Sequence, residues 1–443
     1  MILNLLYALL AVAFLAVYAW SFYNLPILVA GIRSARKSKK RTGESSVVHG
    51  DLPSVSIVVP VKNEKKVIGR LLDALAGLDY PAGKKEIIVV EDGSSDGTLD
   101  FCRNYAVEHN VKLRVLHKPY SDGKPSALNH GIKQARGEIV AVFDADSVPA
   151  EDALLKVVSY FEDDSVSAVQ GRTLSINSEE NMLTKFISRE EAVWCEGYLR
   201  GKDDLNLFVR LKGTCQFFRR QVLKRLNGFD EGALSEDMEL SARLTEQGHR
   251  IRYASDVKSW QESPSGLKQL LKQHVRWYRG DMEVAFKYGR LMASPSRRTV
   301  DAELTLFGPF VLIMSLLSLF AGGFLVFAPS PFGFVLELLM RSASVFGLAS
   351  MFLCGLALIC YSKPQGLRNA LWIPFIYFFW ILQSFIASYA LLLIVLRRPR
   401  MWVRTEKSGA VRVAGSDQRM FALSAKSVGT LRTEGKAIVD SAF

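Results

Sequence analysis

Two kinds of hydrophobic pattern divide the chain. From Ile2 to about Ile32, and again over 303–396, apolar residues run almost without interruption; between these regions, short β-branched runs alternate with helix-like patterns of ordinary globular composition. About 20 apolar residues suffice to cross a bilayer. The first stretch lacks a basic start and exceeds a signal peptide's apolar core, so 1–32 predicts a retained anchor. "RSARKSKKR" follows at once and assigns that flank to the cytoplasm; 33–52 reads as a basic linker. In the segment 303–396, Leu304 to Ala328 predicts an outward span and Ser342 to Tyr361 a return. The stretch 371–396 carries Pro374, Gln383, Ser384 and Ser388, and a third crossing would leave "RRPRMWVRTEK" outside. It is therefore expected to lie at the interface or to re-enter, with 397–443 a cytoplasmic tail. The expectation is a multi-pass cell-membrane protein whose middle domain is cytoplasmic and which contacts membrane lipids.

That middle domain, 53–262, has the rhythm of an α/β fold. "SVSIVVPV" (54–61), "KEIIVVED" (85–92), "VKLRVLHK" and "EIVAVFDAD" read as strands. Helical patterns stand between them, from about Glu64 to Leu78, from "GSSDGTLDF" and over "KPSALNHGIKQA". Such alternation predicts a mostly parallel sheet covered by helices. Ligands in such folds bind beyond the carboxyl ends of the strands. Three predicted strand ends carry polar groups: Pro60 to Glu64, Glu91-Asp92, and Asp144 with Asp146. No GxGxxG or GxxxxGK[ST] is present, which removes the dinucleotide fingerprint and the P-loop. Residues 263–302 read as amphipathic interface helices.

Charge and cysteine content change this picture little. The formal charge of +12 over 443 residues is concentrated beside the apolar segments, at 33–41, Arg297-Arg298 and 397–404. No nucleic-acid recognition motif accompanies it, so nucleic acid is not an expected partner. The five cysteines (102, 195, 215, 354 and 360) lack CxxC or zinc spacing.

The chemistry centres on "FDADSVP". Asp144 and Asp146 are like charges at the end of a buried strand, which is costly unless something positive arrives. A hard divalent cation, Mg²⁺ or Mn²⁺, that completes its shell with substrate phosphates would answer; a capped turn is the plainer alternative. In "SDGKPSALNHG", Lys124 precedes a helix whose free N–H groups suit a diphosphate, or is simply a solvated lysine. "ALSEDMEL" packs acids into a helix's first turn. The macrodipole accounts for them, while the functional reading makes Asp237 a general base. In "LKQLLKQHVRWYRGDM", Gln273, Arg276 and Trp277 share roughly one side of a helix, offering a guanidinium beside a ring on which a sugar stacks. A bare amphipathic surface helix has the same pattern.

Taken in order, "VED", "DAD", "SED" and "QHVRW" resemble the D, DxD, (T/S)ED, QxxRW series of membrane-embedded family-2 glycosyltransferases, the group of cellulose, chitin and hyaluronan synthases. "WVRTEKSG" (402–409) is similar to the gating-loop motif of cellulose-synthase-like and mannan synthases. The resemblance implies a GT-A type nucleotide-sugar-binding domain. By it, Pro60, Glu64, Asp92 and Lys124 would hold the nucleotide, with Asp96 a secondary candidate. Asp144 would support the nucleotide side and Asp146 would ligate the metal. Gly213 and Thr214 in "KGTCQFFRR" would line the acceptor, Glu236 would contact substrate and Asp237 would be the base. Gln273, Arg276 and Trp277 would hold the diphosphate and the acceptor sugar, and Thr405 and Lys407 would close over the diphosphate. The sequence departs from the family pattern in having Ser235 where threonine is commoner, and "VED" where a paired-Asp form is commoner. The implied donor is a UDP- or GDP-sugar, and the sugar is transferred to a glycan or a lipid-linked acceptor. The implied reaction is a single inverting displacement that extends a β-linked polysaccharide. Single addition to a lipid is the nearest alternative, and a non-catalytic sugar-nucleotide binder the more distant one.

Overall fold

The computed structural model describes residues 2–41, 51–109, 111–293, 295–327 and 366–400, with the single positions 334, 338, 407 and 409. They form two compact units, and the division is not collinear. One unit takes residues 44–188, 210–266 and 406–443; the other takes 1–43, 189–209 and 267–405.

The first unit is built on an eight-stranded sheet. Its strands are β1 (Val55–Val61), β2 (Lys85–Asp92), β3 (Leu113–Lys118), β4 (Ile139–Val142), β5 (Val148–Pro149), β6 (Val166–Ser175), β7 (Gln216–Arg219) and β8 (Arg250–Gln261), in the order β3-β2-β1-β4-β7-β6-β8-β5. The four strands read from the sequence are the parallel half, β3-β2-β1-β4. All seven residues of β1 and all four of β4 are buried, as expected of parallel strands covered on both faces. Helix Ile68–Ala76 packs one stripe, Ile68, Leu71, Leu72 and Leu75, into the core beside β1 and β2. It starts one turn later than the pattern predicts, because the Glu64 carbonyl accepts from the amides of Val67 and Ile68 in a preceding turn. β7, inside the segment read as an acceptor lining, runs antiparallel between β4 and β6. The fold is thus α/β with a mixed, mostly parallel sheet. The parallel order sends the ends of β1, β2, β3 and β4 to one edge, where the candidate residues lie.

The second unit is helical. Its first helix, Ile2–Arg41, contains Pro26, and its Ala11–Lys37 portion is long and apolar enough to cross a membrane. It packs on residues 194–204 almost backbone to backbone. A Cβ added at Gly31 would lie 1.9 Å from the Gly197 carbonyl oxygen, and one at Gly201 2.0 Å from that of Ile27. Lys202 and Asp301, 1% and 2% exposed, pair at 3.0 Å. Lys202 also donates to Thr305 Oγ1, and the Phe208 amide donates to Asp301 Oδ2.

Helices Arg297–Leu306 and Gly308–Phe327 meet at a 50° bend, and together they fit one broken span or a re-entrant pair. The predicted return span, 342–361, lies outside the described residues. Over 371–396 no turn-back occurs. Ile373–Val395 is one unbroken 23-residue helix, roughly 35 Å long at 1.5 Å per residue, and Leu367–Val395 is the second candidate span. The polar residues that suggested re-entry have packing roles. Pro374 sits in the first turn, where a missing N–H costs nothing. Gln383 accepts from the Tyr278 hydroxyl at 2.5 Å, and Ser384 and Ser388 bond back to their own helix. Past its end, Arg279 donates to the carbonyls of Arg398 and Pro399 at 2.6 and 3.0 Å, and Glu283 pairs with Arg400.

Candidate active site

At the ends of β1 and β2 the loops are laced together. The Asn63 amide donates to Ser94 Oγ at 2.9 Å, and the Ser95 amide donates to Asn63 Oδ1 at 2.7 Å. Pro60 is buried at the end of β1, paired in register with Val90. Glu64 follows, half-buried, with its amide on Thr98 Oγ1 at 3.0 Å. Asp92 is 3% exposed, 3.1 Å from Lys118 Nζ and accepting from the Ser121 hydroxyl at 2.5 Å. Its neighbour Glu91 is fully buried against His117 Nδ1 at 2.6 Å. Asp96 turns inward, accepting from the Thr98 amide and hydroxyl on its own loop and from the Lys65 amide on the loop after β1. Its partial burial favours the neutral acid, but these hydrogen bonds outweigh it and hold the carboxyl below its usual range.

Each carboxylate of the DxD meets a lysine. Lys124 Nζ lies 2.7 Å from Asp144 Oδ1 and 3.2 Å from Glu236 Oε1, and donates to the Gly213 carbonyl at 3.0 Å. Burial alone would lower the Lys124 pKa; the charges of Asp144, Glu236 and Asp237 raise it instead. Burial raises the Asp144 carboxyl, the nearby Asp146 charge adds to this, and Lys124 offsets only part.

The Asp144 amide donates to Thr214 Oγ1 at 3.0 Å, and Thr214 also bonds Ser147. Thr214, 2% exposed, therefore braces the DxD turn. Gly213 (φ +78°) lets the backbone pass where a Cβ would meet Lys124 Nζ at 3.2 Å and Asp237 Oδ2 at 3.5 Å. Asp237 stands in the first turn of helix Glu236–Glu246, beside that lysine. Lys124, Asp144, Gly213, Glu236 and Asp237 thus converge on one place.

Asp146 is 6% exposed, and its cation is Lys407, with Nζ 2.7 Å from Oδ2. The Glu262 amide donates to the same oxygen at 3.2 Å. Burial works to raise the carboxyl, but Lys407, the Glu262 amide and Arg70 hold it below the ordinary range. Glu262 and Arg70 were not found by sequence reasoning. Glu262 directly follows β8, so recognising that strand from its alternation would have exposed a fourth polar strand end. Gln170 was missed as well. Fully buried, it accepts from the Lys212 amide and donates to the carbonyls of Thr214 and Cys215, which shapes the loop around Gly213.

Gln273, Arg276 and Trp277 belong to the helical unit, on helix Leu267–Tyr288. Trp277 is 41% exposed, its ring 5.0 Å from that of His274. Arg276 Nε is buried with no hydrogen-bond partner among the described residues. Thr405 lies outside the described residues. No cluster of three or more His, Cys, Asp or Glu side chains able to hold a metal ion occurs among the described residues.

This geometry can be set beside known proteins. "Probable glycosyltransferase YdaM" of Bacillus subtilis is 30% identical over 294 residues, 66% of this chain and 70% of that protein. "Beta-monoglucosyldiacylglycerol synthase" of Trichormus variabilis is 34% identical over 272 residues, and "Poly-beta-1,6-N-acetyl-D-glucosamine synthase" of Staphylococcus epidermidis 30% over 240. The matches cover 60% and 54% of this chain, and 57% of each of those two relatives. Among solved structures, the mannosyltransferase PcManGT of Pyrobaculum calidifontis, in complex with GDP-Man and Mn²⁺, shares the fold. Its TM-score is 0.56 at 21% identity, covering 88% of this chain and all of that one. The family model "Glycosyltransferase like family 2" matches residues 53–280, just over half of the chain. The protein belongs to glycosyltransferase family 2.

Proposed function

We propose that the protein transfers a sugar, with inversion, from a nucleoside diphosphate to an acceptor hydroxyl at a cytoplasmic membrane surface. The convergence of Lys124, Asp144, Glu236 and Asp237 around Gly213 carries the reading. It supplies a cation for a departing diphosphate and, on the same side of the Gly213 backbone, a carboxylate to take a proton. Pro60, Glu64 and Asp92 hold the nucleotide at the adjoining strand ends. Asp237 accepts the acceptor's proton as its oxygen attacks the anomeric carbon, a contribution typically worth about 10²–10⁴-fold. Lys124 meets the charge growing on the leaving group. Arg276 takes part in holding the diphosphate, and Trp277 and Gln273 the acceptor sugar. No second carboxylate is needed as a nucleophile, so an α-linked donor gives a β-linked product.

The donor set fits Mg²⁺ or Mn²⁺. Asp144 and Asp146 offer oxygen only, and a hard cation with few protein ligands takes the rest from phosphates and water. Asp146, with Asp144 beside it, would hold the ion, which when bound neutralises charge on the diphosphate.

The product we favour is a β-linked polysaccharide, and "WVRTEKSG" supports it. A glycolipid made by single addition is the second reading, favoured by the 34% identity to a protein named as a monoglucosyldiacylglycerol synthase. Purified protein given a panel of UDP- and GDP-sugars should release nucleoside diphosphate with one of them. The labelled sugar should then appear in high-molecular-weight glycan; recovery in the lipid extract selects the second reading, and no release with any donor refutes both.

A further inference from the structure

The contact between Lys407 and Asp146 goes further than closure over a bound substrate. Asp146 Oδ2 is fully engaged: it receives the Glu262 amide at 3.2 Å and the Lys407 ammonium at 2.7 Å. The same ammonium donates to the Glu262 carbonyl at 2.7 Å. Two residues on, the Gly409 amide donates to the Glu262 carboxylate at 3.2 Å. Arg70 secures the other side, pairing with the Glu262 carboxylate at 3.7 Å and donating to the Asp146 carbonyl at 3.3 Å. Lys407 is thus docked through both its side chain and its neighbouring backbone. The acceptor positions of this oxygen are taken, and the ammonium charge repels a divalent cation brought to either oxygen of the same carboxylate. Binding of the one therefore opposes binding of the other.

We propose that Lys407 is a resident counter-ion of Asp146 that excludes a divalent cation from the nucleotide-free protein, so that cation and nucleoside diphosphate are taken up together. This rests on reading the site as one for a nucleotide sugar. A diphosphate offers Lys407 a new anionic partner at the moment the cation claims Asp146. The two ligands therefore favour each other's binding, and by linkage they do so equally. The cation alone must displace a docked, ion-paired lysine with nothing to offer it, and the diphosphate alone draws the lysine away only by leaving the buried Asp146 carboxylate without its cation.

The test uses the full chain in detergent, titrated with MnCl₂ in the absence of nucleotide, bound ion being read from the loss of the free-Mn²⁺ paramagnetic signal. Lys407→Gln should bind Mn²⁺ more tightly than wild type by about tenfold or more, equivalent to about 1.4 kcal/mol. Lys407→Arg should stay as weak as wild type. UDP or GDP, corrected for Mn²⁺ held by free nucleotide, should close the gap between Lys407→Gln and wild type. Equal affinities of wild type and Lys407→Gln without nucleotide would overturn the proposal. A second measurement needs no variant: acetylation of Lys407 in wild-type protein, followed by peptide mass spectrometry. The amine should be protected without metal and become reactive as Mn²⁺ saturates the site; unchanged reactivity overturns the proposal. Failure of the glycosyltransferase reading would show separately, as absent diphosphate release from every sugar nucleotide with the Mn²⁺ difference intact.

Discussion

Each unit contains a lysine–aspartate pair, and the two differ in what surrounds them. In the helical unit Lys202 and Asp301 are 1% and 2% exposed, closed in by the Thr305 hydroxyl, the Phe208 amide and the rings of Tyr198 and Phe208. In the sheet unit Lys124 and Asp144 are 17% and 33% exposed, with Glu236 and Asp237 crowding the same lysine. The first pair is sealed from solvent, with Asp301 Oδ2 engaged by both the lysine and the Phe208 amide, so it joins helices. The second keeps an open side and an excess of acids, so it has capacity for a ligand. A buried ion pair costs desolvation in either place; the open side distinguishes a site from a strut.

The contrast is tested most severely at its catalytic end. Asp237→Asn should lower transfer by about 10²–10⁴-fold while nucleotide-sugar affinity, measured by calorimetry, stays within a few-fold. Near-normal turnover would remove Asp237 from the reaction and leave its acid cluster to the helix dipole.

Matched substitutions set the two pairs directly against each other. Lys202→Met leaves Asp301 buried without its cation and should cost about 3–5 kcal/mol of stability, read as a fall in the unfolding temperature in detergent. Lys124→Met should lower turnover by about 10²-fold or more with a smaller change in that temperature. Equal melting shifts for the two would mean that the open pair is also structural.

Trp277 tests whether the helical unit takes part in the chemistry. Trp277→Ala should impair transfer to the acceptor by about tenfold, more than it slows hydrolysis of the donor by water, if the ring positions a sugar by stacking. Equal loss of both would assign Trp277 to packing with His274.

A weaker effect belongs to Asp96, whose carboxylate is spent on its own loop and on the Lys65 amide of the loop after β1. Asp96→Ala should change the Michaelis constant for donor a few-fold and leave turnover unchanged. The wild-type carboxyl is held below its usual 3.8. Its contribution to stability is therefore fully present above that pH and is lost as the pH falls through the lowered value. The stability gap between wild type and Asp96→Ala should be flat at neutral pH and close only in acid. A gap that closes near neutrality would contradict the depressed carboxyl.

Sequence suffices wherever local pattern is in control. Continuous apolar runs marked β1, β2 and β4, and punctuation by glycine and acid marked their ends, because a parallel strand buried on both faces tolerates polar groups only where it stops. Asp92, Asp144 and Asp146 were legible as candidates for that reason, and Lys124 and Asp237 as candidates at helix starts. The other half was not: β7 runs antiparallel to β4 and β6, β6 and β8 pair in parallel with register shifts at Val166/Ala168 and Gly171/Arg172, and the strands carry polar positions that the fold buries. Which charges meet is a matter of tertiary structure. Folding paired Asp146 with Lys407 and Glu262, made Thr214 and Gln170 braces, and tied Asp96 to the Lys65 amide of the loop after β1. It also gave Gln383 and Ser384 partners that make 373–395 a plain helix. The physical reason is common to all of these. Burying a charged or polar group is governed by its three-dimensional neighbours, and those neighbours are distant in sequence.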